Sequence, residues 1–177
     1  MSESSVVMDR AYSEVQRLCY AGLGGEALLR EAAERTRRAV PLEGYCMTVN
    51  DPSSGMITGA VLSDPGYEEA ARDAMARVTF EDEVTPFVWM VKNRLAALSL
   101  SESTGGKPER ALRYRELMVP MGFEHEVRGV FALDGALWGS VSAMREAASP
   151  DFDAREVAWL KTSAYGLTKR EIGRAHV

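Results

Sequence analysis

Nucleophilic and general-base chemistry needs an imidazole, a thiol or converging carboxylates in a fixed arrangement, and this chain offers few of them. Its two histidines are His125 and His176. His125 stands between Glu124 and Glu126 at the entrance of an apolar run, where an exposed imidazole needs no chemical role, and His176 lies in the tail. The two cysteines, Cys19 and Cys46, fall in a helical and a strand pattern, without metal-ligand spacing. A redox thiol wants a resolving partner, and Cys19 sits on a distant helix, so a packed core thiol is the expectation for Cys46. The acidic run Glu81-Asp82-Glu83 is followed by no oxygen-ligand pattern of a calcium loop. Gly105-Gly106 lacks both the lysine–hydroxyl pair of a Walker loop and dinucleotide-fingerprint spacing. Arg30, Arg35, Arg37 and Arg38 are interleaved with Glu26, Glu31 and Glu34, which reads as a solvated face with local ion pairs. The expectation is a protein that is not an enzyme and carries neither metal nor cofactor.

Composition narrows the class. At 177 residues, 46% hydrophobic and 27% charged, the chain fits one globular domain with a substantial core. A net charge of −5 argues against nucleic-acid binding by this segment, since phosphate contact needs a basic patch. No run approaches the roughly 20 apolar residues of a membrane span. Ser2-Glu3-Ser4-Ser5 is not the basic opening of a secretory signal. With free thiols, a cytoplasmic protein is expected.

The elements that must position any site follow from periodicity. Val7 to Tyr20 and about Glu26 to Val40 have helical spacing, separated by Gly22, Gly24 and Gly25. Tyr45 to Asn50 and Met56 to Ser63 read as strands around an Asp51-to-Gly55 turn. Asp64-Pro65 and Thr85-Pro86 each read as a cap with proline at the first helical position. Ala96 to Leu100 is a third strand, Ser101 to Lys107 a polar loop, and Pro108 to Leu117 a helix that Pro120 stops. The strongest signal is the pair of β-rich runs Glu126–Leu133 and Ala136–Met144 around Asp134-Gly135, a type I′ hairpin. A two-residue turn predicts its register: Leu133 faces Ala136, Phe131 faces Trp138, Gly129 faces Ser140 and Val127 faces Ser142 on one side. Both faces are apolar enough to be covered, so the hairpin belongs at the centre of an antiparallel sheet between helical layers. Finally, Asp153 and Glu156 predict a capping box, with Phe152 and Val157 as its staple, for a helix running to about Tyr165.

Several stretches resemble a known family. Thr85-Pro86-Phe87, Leu98 to Gly106, Arg113-Tyr114-Arg115-Glu116-Leu117 with Pro120-Met121-Gly122-Phe123, Trp138-Gly139 with Arg145, and Phe152-Asp153 with Glu156-Val157 form one pattern. Across Leu28 to Leu167 the chain is similar to a GAF domain of the kind found upstream of LuxR-type helix-turn-helix domains in bacterial transcription regulators. Leu167-Thr168-Lys169-Arg170-Glu171 resembles the opening of that DNA-binding domain, and Gly173 to Val177 does not continue it. The expected division is therefore 1–167 as the sensory domain and 168–177 as the start of a truncated helix-turn-helix linker with a tail. The implied fold is α+β and GAF-like, a central antiparallel sheet of five to six strands between helical layers.

The resemblance implies a ligand-sensing and dimerisation module. It contacts nucleic acid only through a missing C-terminal domain and makes no membrane contact. The haem-ligating histidine, the bilin cysteine and the cyclic-nucleotide residue set of other GAF domains are missing. Residues expected around an unidentified small-molecule effector are Cys46, Gly129, Phe131, Trp138, Ser140 and Ser142, with Trp89, Met90 and Tyr114 as the opposite wall. Met8, Tyr12, Val15, Val157, Leu160 and Ala164 are expected along a homodimer seam. The alternatives are a purely structural GAF module without ligand and a GAF-fold redox enzyme using Cys46, as in the GAF-like methionine sulfoxide reductases.

Overall fold

Alternation along strands and caps at helix ends set the element boundaries. The computed structural model describes residues 3–18, 20–63, 74–75, 77–81 and 84–170. Helices α1 (Glu3–Leu18) and α2 (Gly25–Ala39) precede strands β1 (Gly44–Asn50) and β2 (Ile57–Leu62). Residues 77–81 are helical, and α3 (Phe87–Lys92), β3 (Ala97–Ser99) and α4 (Leu100–Thr104) follow. After short turns come β4 (Phe123–Leu133), β5 (Ala136–Glu146) and α5 (Ala154–Arg170). The helix expected from Asp64-Pro65 begins outside the described residues.

The strands form one five-stranded sheet in the order β2-β1-β5-β4-β3, every neighbouring pair antiparallel. Asp134 and Gly135 have φ of 53° and 80°, the positive values that a type I′ turn demands. The expected register survives only next to the turn, as Leu133↔Ala136 and Ala132↔Leu137. Phe131 then pairs with Gly139, and Trp138 is the extra residue of a β-bulge. Beyond it every partner slips by one: Val130↔Ser140, Gly129↔Val141, Arg128↔Ser142, Val127↔Ala143. The predicted Phe131–Trp138 pair is therefore corrected. The reason is steric. The Phe131 ring lies over Gly139, where a Cβ would stand 2.8 Å from its Cδ2 and 2.6 Å from the Thr48 carbonyl oxygen. A glycine fits under that ring and an indole does not.

The slip sorts the two faces. Tyr45, Met47, Val127, Phe131, Val141 and Ala143 join one apolar core with α1, α2 and α5. In that core the Trp159 indole N–H donates to the Met8 carbonyl at 2.9 Å, tying α5 to α1. Val15, Val157, Leu160 and Ala164 are buried here inside the chain's own helical layer, with Met8 and Tyr12 packed against them. They cover the sheet of the protomer.

Several local expectations also change. Ser101 to Lys107 is not simply a loop: Ser99 and Glu102 form a capping box that starts α4. Thr85 does not cap α3. Its φ is +49°, and Pro86 holds the cap position. Pro108 to Met121 is broken into 3₁₀ turns at Pro108–Arg110 and Val119–Met121 around a π turn at Tyr114–Met118. At α5 the Asp153 carboxylate accepts from the Arg155 and Glu156 amides, and Glu156 accepts from the Asp153 amide, as the capping box requires. The helix then runs through Arg170 without a break, so Thr168 lies inside it rather than opening a new helix. Glu171 to Val177 lie outside the described residues.

The bulge makes a sharp prediction. Gly139→Ala destabilises the fold by about 1–3 kcal/mol through overpacking against Phe131 and the Thr48 carbonyl. Urea denaturation measures it, and unchanged stability would contradict the register.

Candidate functional site

The face opposite the three-helix layer carries the polar chemistry. Because of the slip, Glu126, Arg128 and Val130 of β4 share it with Ser140, Ser142 and Met144 of β5, and β1 adds Cys46, Thr48 and Asn50. A cavity of about 120 Å³ lies over this face. Its floor includes Cys46, Thr48, Ser140 and Ser142, and its other walls include Met75, Val78, Phe87 and Leu117. The volume is of the order of an engineered apolar cavity of roughly 150 Å³ that takes one benzene.

Three ionised side chains form one wall: Arg113, Glu126 and Arg128. They are only 1%, 2% and 8% exposed. Arg113 donates through Nε to one Glu126 oxygen at 2.5 Å, and Arg128 through Nε to the other at 3.2 Å. Arg113 also donates to the Val84 carbonyl at 2.5 Å and to the Thr85 hydroxyl at 3.2 Å. Arg128 donates to the Thr85 carbonyl at 3.1 Å, and its guanidinium stacks 4.7 Å above the Phe87 ring. Burial pushes the Glu126 carboxyl up, but the Arg113 and Arg128 charges and a hydrogen bond from Ser142 outweigh it and hold it at about 2. The two arginines thus pin the segment leading into α3 onto the sheet.

The remaining polar groups satisfy one another. The Thr48 hydroxyl donates to the Asn50 side-chain oxygen at 2.7 Å. With that single proton committed, the Ser140 hydroxyl 2.7 Å away is the donor to Thr48. Asn50 in turn donates to the Gly55 carbonyl at 2.9 Å. Burial pushes the Cys46 thiol up to about 11, so it stays protonated at neutral pH and is a poor nucleophile. Cys19 lies outside the described residues. His125 has its Nδ1 3.7 Å from Asp151, away from this cavity. No group of three or more metal-ligating side chains occurs among the described residues.

Of the residues expected around a ligand, the structure brings together Cys46, Ser140 and Ser142. Gly129 and Phe131 turn to the helical core instead, with a Cβ at Gly129 only 2.9 Å from the Val141 side chain. Trp138 sits in the bulge. Met90 packs with Val130 and Leu137, Tyr114 packs beside a separate cluster of Leu100 and Met118, and Trp89 is exposed. None of these lines the cavity. The sequence reading missed Arg113, Glu126 and Arg128. Its overlooked signal was a glutamate and an arginine two apart, on one face of an otherwise apolar strand.

No family model matches the sequence, and no curated protein is similar to it. The fold does match solved structures. The GAF domain of an Acinetobacter phosphoenolpyruvate-protein phosphotransferase aligns with TM-score 0.61 at 13% identity, over 99% of this chain and 96% of that one. The N-acylhomoserine lactone dependent LuxR family transcription factor CepR2 from Burkholderia cenocepacia aligns with TM-score 0.56 at 12% identity, over all of both chains. The chromophore-binding domain of a bacteriophytochrome from R. palustris aligns with TM-score 0.61 at 14% identity, over 99% of this chain. The chain spans 63% of that domain's length. The fold is GAF-like α+β, as its five antiparallel strands and flanking helices require. No helix among the described residues is long and apolar enough to cross a membrane.

The buried pairing predicts a pH signature. The Glu126 carboxyl is held below its ordinary 4.5, so its ionised form stabilises the fold above that pH, and the contribution is lost as pH falls towards 2. Glu126→Gln, which strands two buried guanidiniums, costs about 3–5 kcal/mol at pH 7. The gap between wild type and variant narrows below pH 4.5, as urea melts at pH 7 and pH 3 will show.

Proposed function

We propose that this domain is a non-catalytic small-molecule sensor whose effector occupies the cavity between the polar face of the sheet and the segment leading into α3. The cavity itself carries this reading: a folded interior tolerates few voids, and this one is walled by side chains from four strands and from the overlying segments. It favours a ligand over a purely structural module. The protonated Cys46 thiol speaks against the redox enzyme. The fold likeness to GAF domains and to a LuxR family transcription factor supports the same class of function. The motif at Arg113 to Phe123 supports a setting in a LuxR-type transcription regulator of the cytoplasm, with DNA contacted by a separate helix-turn-helix domain. Such operators are two-fold, so the regulator works as a homodimer. The face of α1 carrying the exposed Val6 and Val7 is the surface for that pairing.

Two measurements test this. Native mass spectrometry of freshly purified protein detects a retained small molecule, and Cys46→Leu, which fills the cavity, abolishes retention while leaving the melting temperature equal or higher. A variant that retains the molecule places the site elsewhere. For the dimer, light scattering gives twice the chain mass, and Val6→Glu with Val7→Glu shifts it to the monomer; a monomer at every concentration ends that part of the proposal.

A further inference from the structure

The hydroxyls around the cavity narrow the ligand's chemistry. A hydroxyl has one proton to give and two lone pairs to receive with. Among the described lining residues, Thr48 gives its proton to Asn50, Ser140 to Thr48, Ser142 to Glu126 and Thr79 to the Met75 carbonyl. Tyr45 belongs to the apolar core on the other face of the sheet. What the hydroxyls turn towards a ligand is therefore oxygen lone pairs. The charges of the wall are engaged too. Glu126 accepts from Arg113 and from Arg128, and the two guanidiniums also reach oxygens of Val84 and Thr85. A charged ligand would give up its hydration for a wall whose ions already hold one another, and a buried charge is costly without a partner of its own. Met75, Met118, Met121 and Met144 add an apolar lining of adaptable shape.

We infer that the effector is a small uncharged molecule, a hydrocarbon body of about one ring carrying a hydroxyl or N–H group that it donates to the Ser140 oxygen. This rests on the sensor reading above and names its ligand class. A cavity of about 120 Å³ is of the size that takes one ring. Ser140 is the acceptor because of its neighbours in the sheet. It pairs with Val130 on one side and Thr48 on the other, whereas Ser142 stands opposite Arg128, whose guanidinium competes for its lone pairs. Only 1% exposed, Ser140 offers its oxygen to a ligand that is itself withdrawn from water, where a met donor counts and an unmet one is penalised. Ser140 is thus a specificity-determining residue of the cavity.

The experiment is a ligand-observed NMR titration of the full chain with four one-ring probes: phenol, benzonitrile, benzoate and benzylamine. Phenol donates a hydrogen bond, and benzonitrile, of similar hydrophobicity, only accepts one. The expected result is phenol binding about fivefold tighter than benzonitrile, the ordinary worth of one hydrogen bond, with the two charged probes weakest. In Ser140→Ala the phenol advantage disappears while benzonitrile binding persists, which also shows that the variant remains folded. Equal or tighter binding of benzonitrile to wild type overturns the donor assignment, as does a phenol advantage that survives Ser140→Ala. Preference for benzoate or benzylamine overturns the uncharged class, and so does the failure of every probe to bind. None of these outcomes touches the sensor reading, which falls separately if the molecule retained by the purified protein survives Cys46→Leu.

Discussion

A strand has a side-chain period of two, so one inserted residue exchanges its faces. That constraint governs this molecule. Without the bulge at Trp138, Phe131 and Gly129 would share a face with Ser140 and Ser142 along the hairpin. With it, large apolar groups from both strands go to α1, α2 and α5, and serines, Glu126 and Arg128 go to the cavity. The bulge persists because Gly139 alone lets the Phe131 ring cross the strand. One ring over one glycine therefore separates a core that only packs from the face that carries the cavity.

The segregated face then holds the strained entry to α3. A β-branched residue at positive φ is an outlier that costs about 1–3 kcal/mol and survives only where its surroundings impose it. At Thr85 the surroundings are the two arginines: Arg113 reaches its hydroxyl and the preceding carbonyl, and Arg128 reaches its own carbonyl. Both guanidiniums are anchored in turn on Glu126, in the sheet. The cavity wall and the clamp on the overlying segment are thus the same side chains.

Much of the architecture was legible because it depends on local rules. The Asp134-Gly135 turn, the Asp153–Glu156 cap and the strand patterns at Tyr45 to Asn50 and Ala96 to Leu100 are short-range signals, and each is present. What failed was long-range. Bulges answer to packing across strands, so no turn rule reveals that Phe131 needs a glycine opposite. Arg113 looked like one more helical cation, because its partner Glu126 lies 13 residues away. Thr85-Pro86 has the letters of a cap, yet the threonine answers to arginines 28 and 43 residues further on. The Ser99–Glu102 cap is different: it was readable, and the neighbouring glycines drew attention to a loop instead.

A third buried arginine joins other elements of the fold. Arg145 has nearly the same burial as those of the wall, and its guanidinium is held by Glu156 at 2.7 and 3.2 Å, by the Pro41 carbonyl at 2.7 Å and by the Phe152 ring at 4.1 Å. One cation meets one carboxylate in two-point geometry, and the pair joins the end of β5 to the first turn of α5. That arrangement is balanced and serves packing. At the wall the same residue type appears twice, both guanidiniums reaching Glu126, and borders a cavity instead of a helix. The same residue type thus closes the helical layer at one place and holds the entry to α3 beside the cavity at the other.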